Sequence, residues 1–223
     1  MKLKQIPMQD ALKKGWELTK ENFLFFVGLL IINFIFSYSP YKESGSTSSL
    51  FSGRGEYQPI VEVLLTIIRT VVEMGTIRIV LKLIDNKKPS YAEFFNQLNR
   101  FLPFFLASIL YIVLVGAGLI LFIIPGIIFA LTYQYYSYLI LDKNMGIFEA
   151  FSKSAEITRG VRWQLFLFGL LLILVMIAGF LALGVGLFVA MPVTMVAQAY
   201  VYRYLVKHSH KEIKEESDEA IVV

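Results

Sequence analysis

The chain has 223 residues, 57% of them hydrophobic and only 17% charged, with a formal net charge of +4. Soluble domains run near ~25% charged, so an ordinary water-soluble globule is excluded. The absence of cysteine excludes disulfides and thiolate metal sites, and both histidines, His208 and His210, fall in the polar C-terminal tail, outside any apolar interior.

Residues 1–22 are polar and amphipathic and lack the short basic region, apolar run and small-residue cleavage site of a signal peptide. Residues 22–38 then read as an uncleaved first membrane span, and 60–81 as a second. Between them, 39–58 form a Gly/Ser-rich loop. Two tracts without a single charge follow, 101–141 with 41 residues and 164–202 with 39. One span needs ~20 apolar residues, so each tract holds two. The first tract breaks at Pro125-Gly126, which gives spans at 101–124 and 126–141. The second breaks near Gly184, which gives spans at 163–183 and 185–202. The expected fold is all-α and polytopic: one six-span membrane domain over 1–207, followed by a charged tail at 208–223.

Basic residues orient the spans. Six spans put both termini on one side together with Lys2, Lys4, Lys13, Lys14, Lys20, Lys82, Lys87, Lys88 and Arg100. The same side takes Lys143, Lys153, Arg159, Arg162, Arg203, Lys207, Lys211 and Lys214, a total of 17. The other side receives only Lys42 and Arg54, while Arg69 and Arg78 lie within the second span. Both termini are therefore expected in the cytoplasm of a cell-membrane protein.

The segments on that side resemble one another. Asp10-Ala11-Leu12 opens a stretch through Trp16, Glu17 and Thr19, and Glu149-Ala150-Phe151 opens one through Lys153, Glu156 and Thr158. A weaker copy starts at Glu93-Phe94-Phe95. Leu83-Ile84-Asp85 ahead of it parallels Ile140-Leu141-Asp142 ahead of the last copy. Apolar residues at helical spacing (Met8, Leu12, Trp16 and Thr19; Tyr91, Phe94, Phe95, Leu98 and Phe101; Phe148, Phe151, Ala155 and Thr158) predict three amphipathic helices on the headgroup region. Ser90 and Glu93 suggest a capping box after Pro89. The unit is then one such helix plus a two-span hairpin, repeated over about 5–84, 90–141 and 146–206.

The second span breaks the apolar rule with Glu62, Arg69, Glu73 and Arg78; the first three share a helix face. A charge at mid-span costs ~2.5–3.5 kcal/mol, so this face must meet the bundle or a wet cavity. Two readings fit: a functional intramembrane group, or an Arg69–Glu73 pair that neutralises itself and pins helix packing. Tyr133, Tyr135, Tyr136, Tyr138, Tyr200, Tyr202 and Tyr204 fit an interfacial aromatic belt. Gln134 and Gln198 lie deeper and suit interhelical hydrogen bonds or a polar cavity facing Arg69. Pro192 predicts a kink in the sixth span. No P-loop, HExxH, GxSxG or acidic–histidine cluster occurs, and His208-Ser209-His210 reads as solvated tail.

Pro125-Gly126-Ile127-Ile128-Phe129, Tyr138-Leu139-Ile140-Leu141-Asp142, Glu149-Ala150-Phe151-Ser152-Lys153-Ser154 and Thr158-Arg159-Gly160 form one string. Over about residues 100–206 it resembles the multi-pass family known as the glycerophosphoryl diester phosphodiesterase membrane domain, and related uncharacterised bacterial membrane proteins. Some members of that family carry a separate phosphodiesterase barrel. Such barrels need ~250 residues, so the resemblance transfers neither that activity nor any catalytic residue here; it implies a prokaryotic cytoplasmic-membrane protein.

Two functions follow. The first is a non-enzymatic module, without cofactor or nucleic-acid partner, that binds membrane lipids, a membrane protein or a second copy of itself. Headgroup contacts would come from Lys13, Lys14, Lys87, Lys88, Lys153, Arg159 and Arg162. The second is a small transporter or channel that uses Glu62, Arg69, Glu73, Arg78, Gln134 and Gln198. A lipid enzyme relying on Glu73 has less behind it, because no nucleophile or water-activating partner accompanies that residue.

Overall fold

The computed structural model describes residues 5–37, 58–88, 90–94, 97–182 and 186–221. Regular structure among them is entirely helical: α1 (Met8–Glu21), α2 (Phe23–Ser37), α3 (Gln58–Ile84), α4 (Phe101–Leu121), α5 (Ile123–Tyr133), α6 (Tyr136–Lys143), α7 (Ile147–Thr158), α8 (Arg162–Leu181) and α9 (Leu187–Ile221). The Gly/Ser-rich stretch 39–57, Pro89 and the turn at Gly184 lie outside the described residues.

Tyr91–Leu121, Ile123–Lys143 and Arg162–Leu181 are long and apolar enough to cross a membrane; α1 and α2 pass the same test jointly but are bent by 93°. The outward faces carry large apolar residues that water would disfavour, among them Ile120 at 88% exposure and Leu24 at 85%. This is a helical protein whose apolar segments are compatible with membrane insertion. Glu62, Arg69, Glu73, Arg78 and Lys82 interrupt α3.

The N-terminal half of α9 is the central post. Ala190, Val193, Val196, Ala197, Ala199, Val201, Tyr202 and Leu205 are all buried, and a helix apolar on every side must be surrounded. It meets α1, α2, α3, α7 and α8, and it runs through Pro192 as one helix.

The two charge-free hairpins close on glycine. A Cβ on Gly118 would stand 2.9 Å from Gly126 Cα, and one on Gly179 would stand 3.0 Å from the Gly186 carbonyl oxygen. Small residues let backbones approach this closely where no water drives association. The α4–α5 break falls at Phe122, which is extended, rather than at Pro125-Gly126. Pro125 sits instead in the first turn of α5, where its missing N–H would have had no intrahelical partner anyway.

The expected single span 126–141 is broken into α5 and α6 at Gln134-Tyr135. The segment α7 repairs that break. Ser154 Oγ donates to the Thr132 carbonyl at 2.9 Å and accepts from the Tyr135 N–H at 3.3 Å. Thr158 Oγ1 stands 3.1 Å from the same carbonyl, but its one proton has a shorter acceptor in the Ser154 carbonyl of its own helix, at 2.8 Å. Backbone groups freed within an apolar bundle need such partners. To supply them α7 is drawn into the core, with Ala150, Ser154, Ile157 and Thr158 fully buried. It is therefore not a helix resting flat on headgroups, and Phe148, expected on its apolar stripe, is 79% exposed.

The other two amphipathic segments also differ from expectation. The start of α1 is tied to α8, with the Ile6 N–H donating to Gln164 Oε1 at 2.6 Å. Further along, a Cβ on Gly15 would stand 2.6 Å from the Val193 carbonyl oxygen. The helix thus packs on α9 through Ala11, Gly15, Leu18 and Thr19, leaving Trp16 half exposed. The small Ala and Gly permit this approach, which a stripe through Trp16 would not. Among the described residues the middle copy forms two short 3-10 turns, Tyr91–Phe94 and Leu98–Arg100; Phe95 lies outside the described residues. Its capping box does not form, because the Glu93 carboxylate turns back to pair with Lys82.

Ser154→Ala should lower stability by about 1–3 kcal/mol, the cost of leaving a buried backbone group unpaired. Denaturant unfolding in detergent would measure it; an unchanged midpoint would show that α7 does not hold the break.

Candidate functional site

Three helices that leave the bundle in the same direction carry the polar residues in two layers. The first layer surrounds a cavity of about 270 Å³ lined by Asn33, Glu73, Thr76, Ile77, Val80, Gln134, Ser137, Tyr138, Met195 and Gln198. Glu73, Thr76 and Val80 come from α3, Ser137 and Tyr138 from α6, Met195 and Gln198 from α9, and Gln134 from the break between α5 and α6. Among the described residues Glu73 makes no hydrogen bond and no ion pair. Thr76 donates to the Val72 carbonyl within its own helix and receives a long 3.5 Å hydrogen bond from the Asn33 amide. Gln134 donates to Leu131 of its own helix, so its carboxamide oxygen is left toward the cavity wall.

The second layer lies about one helical turn further along α6 and α9, at Asp142, Tyr202 and Arg203; on α3 it takes Arg78, beside the cavity residue Ile77, and Asp85, which follows the helix end. Arg203 reaches across with both ends of its fork: Nη1 donates to Asp142 Oδ2 at 2.7 Å and Nη2 to Asp85 Oδ2 at 2.6 Å. Tyr202 Oη donates to the same Asp142 oxygen at 3.0 Å. Arg78 Nη1 donates to the Leu141 carbonyl at 3.0 Å, in the last turn of α6, and stands 4.0 Å from Asp142. A cation at that end also meets the negative pole of α6. Two aspartates thus face two arginines, with Lys143 at 3.8 Å from Asp142 on the more exposed side. The Asp142 side chain is only 8% exposed, whereas Asp85 is 35% exposed. The Asp142 arm therefore contributes most, since exposed pairs are screened.

Between the layers stand three tyrosines. Ring centroids of Tyr138 and Tyr202 are 5.1 Å apart, and Tyr135 lies 5.9 Å from each. These rings, with Tyr136, are buried inside the bundle. They do not form the interfacial belt that their place near a span end suggested.

Of the six intramembrane residues singled out from sequence, Glu73, Gln134 and Gln198 meet around one cavity. Arg78 joins the aspartate layer. Glu62 and Arg69 lie earlier on α3 and do not line the cavity. The expected Arg69–Glu73 pair is not formed; Glu73 is turned to the cavity instead. Of the proposed headgroup contacts, Lys87, Lys88, Arg159 and Arg162 are exposed on the turns after α3 and α7. Lys153 pairs with Glu156. Lys13 and Lys14 lie on α1 just before Gly15, with Lys13 exposed and Lys14 partly so. Asp85, Asp142 and Arg203 were not recognised as a site. Their signal was the recurrence of aliphatic–aliphatic–Asp at 83–85 and 140–142, since both aspartates converge on Arg203.

Residues 109–209 match a family model described as a protein of unknown function (DUF975). No curated protein and no solved structure matches the chain. The matched stretch includes Gln134, Asp142, Gln198, Tyr202 and Arg203, and leaves out Glu73, Arg78 and Asp85.

Arg203→Met should cost about 3–5 kcal/mol by stranding a buried carboxylate, and adding Asp142→Asn should restore part of the loss. Thermal unfolding of the single and double variants checks both. Equal stability of Arg203→Met and the parent would show that the layer contributes nothing.

Proposed function

We propose that this chain is a non-enzymatic, multi-pass protein of the cell membrane that binds a small cationic, amine-bearing group in the cavity around Glu73. The observation that carries this reading is the Glu73 carboxylate, an exposed residue of α3 that lines the cavity beside Gln134, Ser137 and Gln198 and has no ion pair among the described residues. An uncompensated carboxylate in such surroundings is costly, and a cationic ligand would compensate it. The carboxamides of Gln134 and Gln198 and the hydroxyl of Ser137 add acceptors for N–H donors. The Tyr138 ring adds a face for a cation.

In the topology we favour, α2, α3, α4, α5–α6, α8 and α9 are six membrane passages arranged as three hairpins, with both termini cytoplasmic. The 17-to-2 division of basic residues supports it. So do the glycine closures of the last two hairpins and the paired Asp85 and Asp142. In that orientation the Arg203 layer lies between the cavity and the cytoplasm. The likeness to the glycerophosphoryl diester phosphodiesterase membrane domain covers nearly the same stretch as the family match, and we extend it to membrane architecture alone. Lys87, Lys88, Arg159 and Arg162 would meet anionic headgroups on that face.

Transport is the second reading, favoured by the placement of Glu73 in a span. It requires the cavity to open to both faces, which on the cytoplasmic side means parting Arg203 from Asp85.

Ethanolamine added to the purified chain should raise its unfolding free energy, by about 2.7 kcal/mol at a hundredfold excess over its Kd. Glu73→Gln should abolish that rise without lowering the starting stability. A rise of equal size in both proteins would remove Glu73 from the site, and no rise in the parent would remove the reading.

A further inference from the structure

A second, larger space adjoins the cavity. It is a groove of about 620 Å³ on the α8–α9 hairpin, lined by Leu172, Ile173, Met176, Ile177, Phe180, Met191, Thr194, Met195 and Gln198. Two of those residues, Met195 and Gln198, also line the Glu73 cavity. The two spaces thus lie on adjoining sides of α9 and share its wall over one turn. Their chemistry is opposite. The cavity has a carboxylate, carboxamides and hydroxyls. In the groove, Gln198 stands at the shared edge, and the Thr194 hydroxyl is already spent on the Met191 carbonyl at 2.9 Å.

We propose that groove and cavity are the two halves of one site for an amphiphile, taking a hydrocarbon chain along α8–α9 and an ammonium headgroup at Glu73. This rests on the reading of the Glu73 cavity as a ligand site and names the class of ligand. Charge selects the headgroup, because among the described residues the carboxylate is the one charged side chain lining either space. Continuity across Met195 and Gln198 selects a molecule with an apolar tail over a free amine. Lateral entry from the bilayer suits the groove, whose rim residues Ile173, Ile177 and Phe180 are exposed. Three methionines, Met176, Met191 and Met195, give its wall the adaptability that an acyl chain of variable shape requires. A tail that arrives from the bilayer passes from one apolar medium to another, so the groove contributes shape and packing, and Glu73 contributes the selectivity.

Native mass spectrometry of the full chain, delipidated in detergent and titrated with phosphatidylethanolamine or phosphatidylglycerol, tests this directly. The parent should retain phosphatidylethanolamine about tenfold more tightly, and Glu73→Gln should erase that preference. Thr194→Phe, which fills the groove, should weaken phosphatidylethanolamine binding while leaving the response to ethanolamine intact. Should Thr194→Phe lose its fold, Met176→Phe, which narrows the same groove, takes its place with the same expected loss. Undiminished lipid binding by a folded groove-filling variant would overturn the two-part site and leave the Glu73 cavity standing. Failure of the parent to respond to either ethanolamine or phosphatidylethanolamine would overturn both. An equal preference for the two lipids, beside a Glu73-dependent ethanolamine response, would overturn the inference alone.

Discussion

One guanidinium joining two carboxylates from different helices is the interaction on which the arrangement depends. Arg203 belongs to the central helix, Asp85 follows the last turn of α3, and Asp142 stands in the last turn of α6. No single hairpin contains the set, so apolar packing between helices, which is weakly directional, gains a fixed register. Each helix is free to slide on dispersion contacts alone; none can slide while one fork spans two aspartates. Arginine suits this where lysine would not, since its planar fork offers two donors in fixed directions. The register also bears on the cavity, because Gln198 lies five residues before Arg203 on α9, and Glu73 and Gln134 lie further back on or beside the other two helices, 12 residues from Asp85 and eight from Asp142.

A second constraint is the broken helix. An uninterrupted span over 126–141 would carry Tyr135, Tyr136 and Tyr138 on a regular spiral. The break at Gln134-Tyr135 resets that spiral, and α6 is buried from Tyr136 to Leu141. Its cost is two freed backbone groups, and the Ser154 hydroxyl meets both from α7. What looked like an interfacial helix is therefore an internal splint. The polar residues on its inner face, Ser154 and Thr158, were readable as small residues at a four-residue spacing. Nothing in the local pattern of α7 says that their partners lie on another helix.

That difference marks how far the sequence could be read. Charge-free length alone indicates apolar helices suited to a bilayer, because the cost of an unpaired backbone group in lipid leaves few alternatives. Glu73, Gln134 and Gln198 were legible for the same reason: a polar group in an apolar helix must face something. Arg203 was not, since a basic residue at a span end has a sufficient explanation in topology, and counting it there hid its second role. The break at Phe122 escaped because Pro125-Gly126 is a strong turn signal that also suits the first turn of a helix. The position of α1 escaped because periodicity weights Trp16 and Leu12 by hydrophobicity, whereas the contact with Val193 is chosen by smallness at Ala11 and Gly15.

The two layers also constrain each other. In the cytoplasmic-termini topology, a path from the cavity toward the cytoplasm passes the plane of Tyr202, Arg203, Asp85 and Asp142. Parting Arg203 from Asp142 within the bundle strands two charges, while parting it from the more exposed Asp85 costs far less. Any opening is therefore asymmetric: α3 separates first, and α6 stays with α9. Because Glu73 rides on α3, that movement would carry the carboxylate away from Gln198 and the groove. Access and occupancy would be linked through one helix, with the weaker arm of a single arginine setting how readily it moves.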